Sequence, residues 1–261
     1  MDFSAVWKAR ELLFILMWRD IKVRYKQTLL GVGWAFIQPL ATVAVFAVFM
    51  GRFAGVNEGL SYPYGLFVLA GIIPWLFVSA STTSAGNSLF ANERLITKVY
   101  FPRQIIPLAS VGSALFDFIV ALFLLLVGMI WFRVAPALST PVAILSLGML
   151  IILAAGFGTF LSALIVKHRD FRYILAFAVQ LWMFSTPAIY MPAQKLAELG
   201  QANWWLPLNP AHGLILNFRA GLFGDELNWY ALGVSSAVTL LLFVIGTTYF
   251  RRVERSFADV I

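Results

Sequence analysis

Residues 105–132 read IIPLASVGSALFDFIVALFLLLVGMIWF, with Asp117 the one charged side chain in the run. About twenty mostly apolar residues are enough for a helix to cross the hydrocarbon of a bilayer. Outward from this run the pattern recurs at residues 31–50, 64–83, 141–166, 173–190 and 229–250. An unpaired backbone in lipid costs several kcal/mol per group, so each run is expected to be helical. A β-barrel would show alternating short segments, and these runs are continuous. The expected fold is all-α: an integral membrane protein of six transmembrane helices, with residues 1–261 forming one transmembrane domain.

Composition agrees. Hydrophobic residues make up 61% of the chain and charged residues 12%, whereas a soluble domain carries about 45–50% and about 25%. The net charge is +7. In a soluble chain that balance favours nucleic acid, but here the basic residues lie between apolar runs, and no nucleic-acid partner is expected. Their distribution sets topology. One side holds Lys8, Arg10, Arg19, Lys22, Arg24 and Lys26, then Arg94, Lys98 and Arg103, then Lys167, Arg169 and Arg172, and finally Arg251, Arg252 and Arg255. The other side holds Arg52, Arg133, Lys195 and Arg219. Both termini are therefore expected in the cytoplasm. The first apolar run, residues 12–18, is too short and too closely flanked by charge for a secretory leader.

Residues 4–26 read as an interfacial amphipathic helix. Ser4 is a candidate N-cap, and Trp7 and Trp18 among basic residues suit the headgroup layer. Residues 191–228 form the longest outer segment. Trp204, Trp205, Leu206, Leu208, Leu214 and Phe218 are apolar there, and Pro207 and Pro210 interrupt it. Two short helices re-entering the outer leaflet are expected, because irregular backbone at that depth needs protein or water against it.

No catalytic constellation is present. The chain has no phosphate loop of the form G-x-x-x-x-G-K-[ST], and Gly31-Val32-Gly33 lacks the third glycine of a dinucleotide fingerprint. His168 and His212 are the only histidines and fall on opposite expected sides, while cysteine is absent. No cofactor or metal is expected in this chain, and any ATP hydrolysis must come from another one. Asp117 has two readings: a structural hydrogen bond to a neighbouring helix, or a role in transport. A secondary transporter would need paired ionisable groups or broken helices in both halves, and a membrane-embedded transferase would need clustered acids or histidines. Neither pattern appears.

The connection at residues 87–102 combines a short amphipathic helix with Pro102 as its stop. Leu95, Ile96, Val99 and Phe101 are expected to be exposed beside Glu93, Arg94 and Lys98, a pattern that suits a partner surface. Aromatics make up 16% of the chain. Trp34, Phe36, Trp75, Phe77, Trp182, Phe184 and Tyr190 lie in or beside spans, where they serve as packing, as interfacial belt, or as faces for sugar rings in a glycan conduit.

Several motifs occur in fixed order: Arg24-Tyr25-Lys26-Gln27-Thr28-Leu29-Leu30-Gly31 with Trp34 and Pro39, Gly71-Ile72-Ile73-Pro74-Trp75, the Asn87 to Pro102 loop, Arg169-Asp170-Phe171-Arg172, Thr186-Pro187-Ala188-Ile189-Tyr190, and Leu208-Asn209-Pro210. Together they resemble the permease subunits of type-2 ABC exporters for polysaccharides, which include O-antigen, capsule and teichoic acid transporters. Residues 95–102 look most like the O-antigen branch. The resemblance implies a homodimer of six-span subunits joined to two cytosolic ATP-binding subunits that use ATP and magnesium. By that analogy residues 87–102 (with Asn87, Glu93, Arg94, Leu95, Ile96, Lys98 and Phe101) form the coupling helix, and residues 4–26 lie flat on the cytosolic face. Residues 191–228 (with Trp204, Trp205, Pro207, Pro210 and Phe218) form the outer gate. A lipid-linked glycan would move through a conduit between the two copies.

Overall fold

A computed structural model describes residues 3–26, 28–53, 60–98, 101–192, 196 and 203–254. Val99, Lys195, Arg255 and most of residues 193–202 lie outside them. Among the described residues every regular element is helical. In chain order these are α1 (Phe3–Lys8), α2 (Arg10–Lys26), α3 (Trp34–Phe46), α4 (Tyr64–Ala91), α5 (Glu93–Lys98), α6 (Ile105–Trp131), α7 (Thr140–Lys167), α8 (Phe171–Phe184), α9 (Pro210–Phe223) and α10 (Trp229–Val253). Single 3-10 turns precede α3 and follow α8, a six-residue 3-10 helix at Asn203–Leu208 precedes α9, and α3 continues into a π-helical turn.

Five helical stretches are long and apolar enough to cross a membrane: Gly31–Gly51, Tyr64–Ala91, Ile105–Trp131, Thr140–Lys167 and Trp229–Val253. The stretch expected at 173–190 is not one long helix. α8 has 14 residues, about 21 Å at 1.5 Å per residue, against a hydrocarbon core of about 30 Å. Pro187 is the cause. A proline disfavours helical geometry in the residue before it, and Thr186 sits at φ −119°, ψ 70°. The chain then makes a 3-10 turn at Pro187–Ile189. Residues 171–190 nevertheless run alongside most of α4. The Arg172 guanidinium stands 4.7 Å from the Phe90 ring centroid near the last turn of α4. The Tyr64 hydroxyl, at its first residue, donates to the Tyr190 carbonyl at 2.6 Å.

α4 is the central helix. It packs against α3, α6, α7, α8 and α9, and most of its side chains are buried. α7 packs against α4, α9 and α10 on the other side. Helices surrounded by lipid gain little from burying apolar surface, so close backbone approach through small residues holds them together. The α7–α10 crossing shows this: a Cβ on Gly246 would stand 2.2 Å from the Gly156 carbonyl oxygen.

The N-terminal segment divides into α1 and α2, and its apolar and charged residues are not sorted onto two faces. Leu16 and Ile21 are buried, while Phe14, Ile15, Trp18 and Val23 are exposed together with Arg19 and Lys22. The reason is tertiary. α2 packs along α6, with the Met17 side chain against Gly112.

Candidate functional site

At the end of the bundle that carries most of the basic residues, α5 turns its apolar side inward. Ile96 is 5% exposed and packs in one cluster with Leu16, Leu89, Ile105, Ile106, Val166 and Phe250. Leu95 and Phe101 are partly buried against the same cluster. These three side chains, expected to be exposed for a partner, therefore hold the chain's own elements together. The outward positions are Phe90, Ala91, Glu93 and Arg94. Asn87 is half-buried and donates to the Thr83 carbonyl at 2.9 Å, and Lys98 closes α5. Next to this surface lies the turn from His168 to Arg172, which is exposed throughout and tied to it by Arg172 over Phe90. α2 joins the same region, where Arg19 donates to the Asn92 side-chain oxygen at 2.8 Å.

Asp117 lies about 18 Å along α6 from its first residue. It accepts from the Arg24 guanidinium and the Tyr25 hydroxyl, both on the last turn of α2. Burial, reinforced by the bond to Asp117, pushes the Tyr25 hydroxyl well above its ordinary pKa, so it stays protonated and donates. The motif at 24–25 and the acid at 117 thus form one joint between α2 and α6. The sequence contains both halves but not their contact.

The opposite end is built around α9, which is enclosed by α4, α7 and α10. Asn209 caps α9 by accepting from the Ala211 amide at 3.2 Å, with Pro210 at the first helical position. Both residue types suit those positions. The same Asn209 accepts from Trp182 Nε1 at 2.8 Å and donates to the Ser185 carbonyl at 3.0 Å and to Thr186 Oγ1 at 2.9 Å. The end of α8 is thereby stapled to the start of α9. Gly71 lets α4 approach the 187–189 turn, since a Cβ there would stand 2.5 Å from the Ile189 carbonyl oxygen. Of the expected gate residues, Trp204 and Trp205 are exposed, while Pro207, Pro210 and Phe218 are buried.

Arg219, on α9, is 3% exposed. It donates to the Ala188 carbonyl at 2.6 Å and stands 3.5 Å from the Phe67 ring centroid. Tyr62 donates to the Asp225 carboxylate at 2.6 Å, and Asp225 lies close enough to the guanidinium to favour its charge. Burial first, then the bond to Asp225, pushes the Tyr62 hydroxyl far above its ordinary pKa, which keeps it a donor. A cavity of about 360 Å³ opens beside this group, lined among others by Ser61, Arg219, Asp225, Glu226 and Asn228. Sequence reading counted Arg219 only as an outer loop charge and passed over Tyr62, Asp225 and Glu226. A lone arginine among apolar residues was the available signal.

Residues 11–223 match the family model described as ABC-2 type transporter. The chain belongs to that family. It is 26% identical over 253 residues to an O-antigen export system permease protein RfbA of Klebsiella pneumoniae, covering 96% of this chain and 95% of the relative. It is 28% identical over 261 residues to the Myxococcus xanthus protein of the same name, covering 98% and 97%. The polysialic acid transport protein KpsM of Escherichia coli is 25% identical over 260 residues, covering 94% and 93%. As an ABC-2 family member with several membrane-length apolar helices, the chain is a multi-pass membrane protein.

In this ABC-2 chain the aromatic candidates separate into two sets. Trp75 and Phe77 are buried in the bundle core; Trp75 meets Trp182 edge-on at 5.5 Å and Phe77 meets Phe118 at 5.0 Å. Trp34 and Phe184 are exposed, while Phe36, Trp182 and Tyr190 are half-buried. Tyr190 stacks on Phe46 at 5.4 Å. The exposed set belongs to α3 and α8, the least enclosed of the apolar helices. Within α3 only Pro39 is buried, and within α8 only Leu175 and Val179.

Proposed function

We propose that this chain is the membrane-spanning subunit of an ATP-driven exporter that moves a lipid-linked, O-antigen-like polysaccharide out across the cytoplasmic membrane. Likeness to an O-antigen export permease along 96% of the chain carries the reading. The chain is a transport subunit rather than an enzyme. ATP and magnesium act in two cytosolic ATP-binding subunits. Six crossings follow if residues 171–190 span as a broken helix, and the basic end then faces the cytoplasm with both termini. Two copies pair through α3 and α8, whose faces their own bundle leaves uncovered, and the glycan passes between them along Trp34, Phe36, Phe184 and Tyr190. The ATPase docks on Phe90, Glu93 and Arg94 with the 168–172 turn. Capsular polysaccharide or teichoic acid export by the same mechanism is the second reading, and the likeness to a polysialic acid transport protein favours its capsular form.

The test is reconstitution in vesicles with and without a cognate ATPase. Glycolipid should reach the opposite leaflet only with ATPase and ATP together. Movement by the purified chain alone, driven by an ion gradient, would replace this reading with a secondary transporter.

A further inference from the structure

The cavity beside α9 has no part in the conduit proposed between two copies, yet its lining is chemically specific. Arg219 supplies guanidinium donors, Asp225 and Glu226 supply carboxylate acceptors, and Ser61 adds a hydroxyl. A ligand dense in hydroxyls matches such a mixed set, because each hydroxyl both donates and accepts. Charge narrows the class. Arg219 is answered by the Phe67 ring and by the nearby Asp225 carboxylate. Glu226 then leaves the cavity with an excess of negative charge, which disfavours phosphate and anionic headgroups. Its volume of about 360 Å³ is near the lower limit for small-molecule sites, too small for a lipid chain and large enough for one or two sugar rings.

We propose that this cavity binds a neutral saccharide unit, so that each copy holds sugar at the outer end of the protein, away from the conduit. The proposal rests on the export reading for its substrate class. Holding sugar there as it emerges would disfavour its return.

The experiment uses the full chain with its ATPase in nanodiscs and three probes: free mannose, galactose and N-acetylglucosamine. Saturation-transfer NMR should show magnetisation reaching the ring protons of at least one of them. Glu226→Ala, which removes an exposed acceptor, and Ser61→Trp, which fills the mouth, should each lower that transfer at least threefold with the melting temperature unchanged. Transfer from none of the three sugars, or equal transfer in both variants, would overturn the proposal. So would tight calcium binding that Glu226→Ala abolishes while no sugar binds. ATP-driven glycolipid export measured on the same preparation keeps the two readings apart. Export without sugar transfer sinks this inference alone, and sugar transfer without ATP-dependent export sinks only the export reading.

Discussion

Asp117 is a carboxylate on an apolar helix, and its partners decide what it does. Arg24 and Tyr25 both donate to it. A charge in this setting is tolerated when it is paired and hydrogen-bonded. Asp117→Asn keeps an acceptor for Tyr25 but loses the charge that holds Arg24. The chain should still assemble and export, with a modest fall in melting temperature. Asp117→Ala leaves both donors without a partner and should cost about 1–2 kcal/mol, the joint being partly solvated. The exchange Arg24→Asp with Asp117→Arg should recover part of the loss, and thermal unfolding in detergent measures all three. An Asp117→Asn complex that assembles and melts normally yet exports nothing would show that the charge itself serves transport.

Among the elements, α5 separates docking from folding. Ile96 is buried in the chain's own cluster, and removing such a side chain costs about 1.5–3 kcal/mol before any charge is buried. Ile96→Asp should therefore reduce the amount of folded protein in the membrane even in cells lacking the ATPase. Arg94→Glu and Phe90→Asp, on the outward side, should leave expression normal and weaken co-purification of the ATPase. Normal expression of Ile96→Asp without the ATPase would mean that α5 does not pack as described. The α7–α10 crossing gives a second test. Gly246→Val has no room beside the Gly156 carbonyl and should abolish assembly, while Gly233→Val, with nothing within 4 Å of its Cβ position, should be tolerated. Size-exclusion profiles of the two variants distinguish them directly.

For the whole molecule, orientation and pairing are the open physical variables, and the absence of native cysteine makes both accessible. A single cysteine at Ser4 should resist an impermeant thiol reagent in intact cells, while one at Ser61 or Glu226 should react. Labelling at Ser4 would reverse the topology. Cysteines introduced at Leu40 on α3 or Phe177 on α8, both exposed in a single copy, should form disulfide-linked dimers in membranes. A cysteine at Leu153, buried inside the bundle, should not. Equal crosslinking at all three positions would point to collision in place of a defined interface.

Much of this protein was determined by sequence alone. Transfer of a helix into lipid depends on the summed polarity of about twenty consecutive residues, a local quantity, so the five long apolar helices were legible without a structure. The span expected at 173–190 runs through Pro187, yet the helix stops before it, and Pro210 reads as an interruption, yet Asn209 and Pro210 start a helix, although proline geometry and capping act over only two or three residues. The basic asymmetry was equally plain, although it counted Arg219 as a loop charge. What the tertiary structure decided is which way each helix faces. Period and composition leave helix rotation open among neighbours of similar polarity. Ile96 could therefore be read as exposed, and it is buried only because Leu16 of α2, Ile105 of the next helix and Phe250 of α10 converge on it. The partner of Asp117 lies 93 residues away. The group of Arg219, Phe67, Tyr62 and Asp225 depends on α9 being enclosed by the bundle. Those contacts arise from packing between helices far apart in the chain, where shape complementarity and the pairing of buried charge choose one arrangement among many that the local pattern permits.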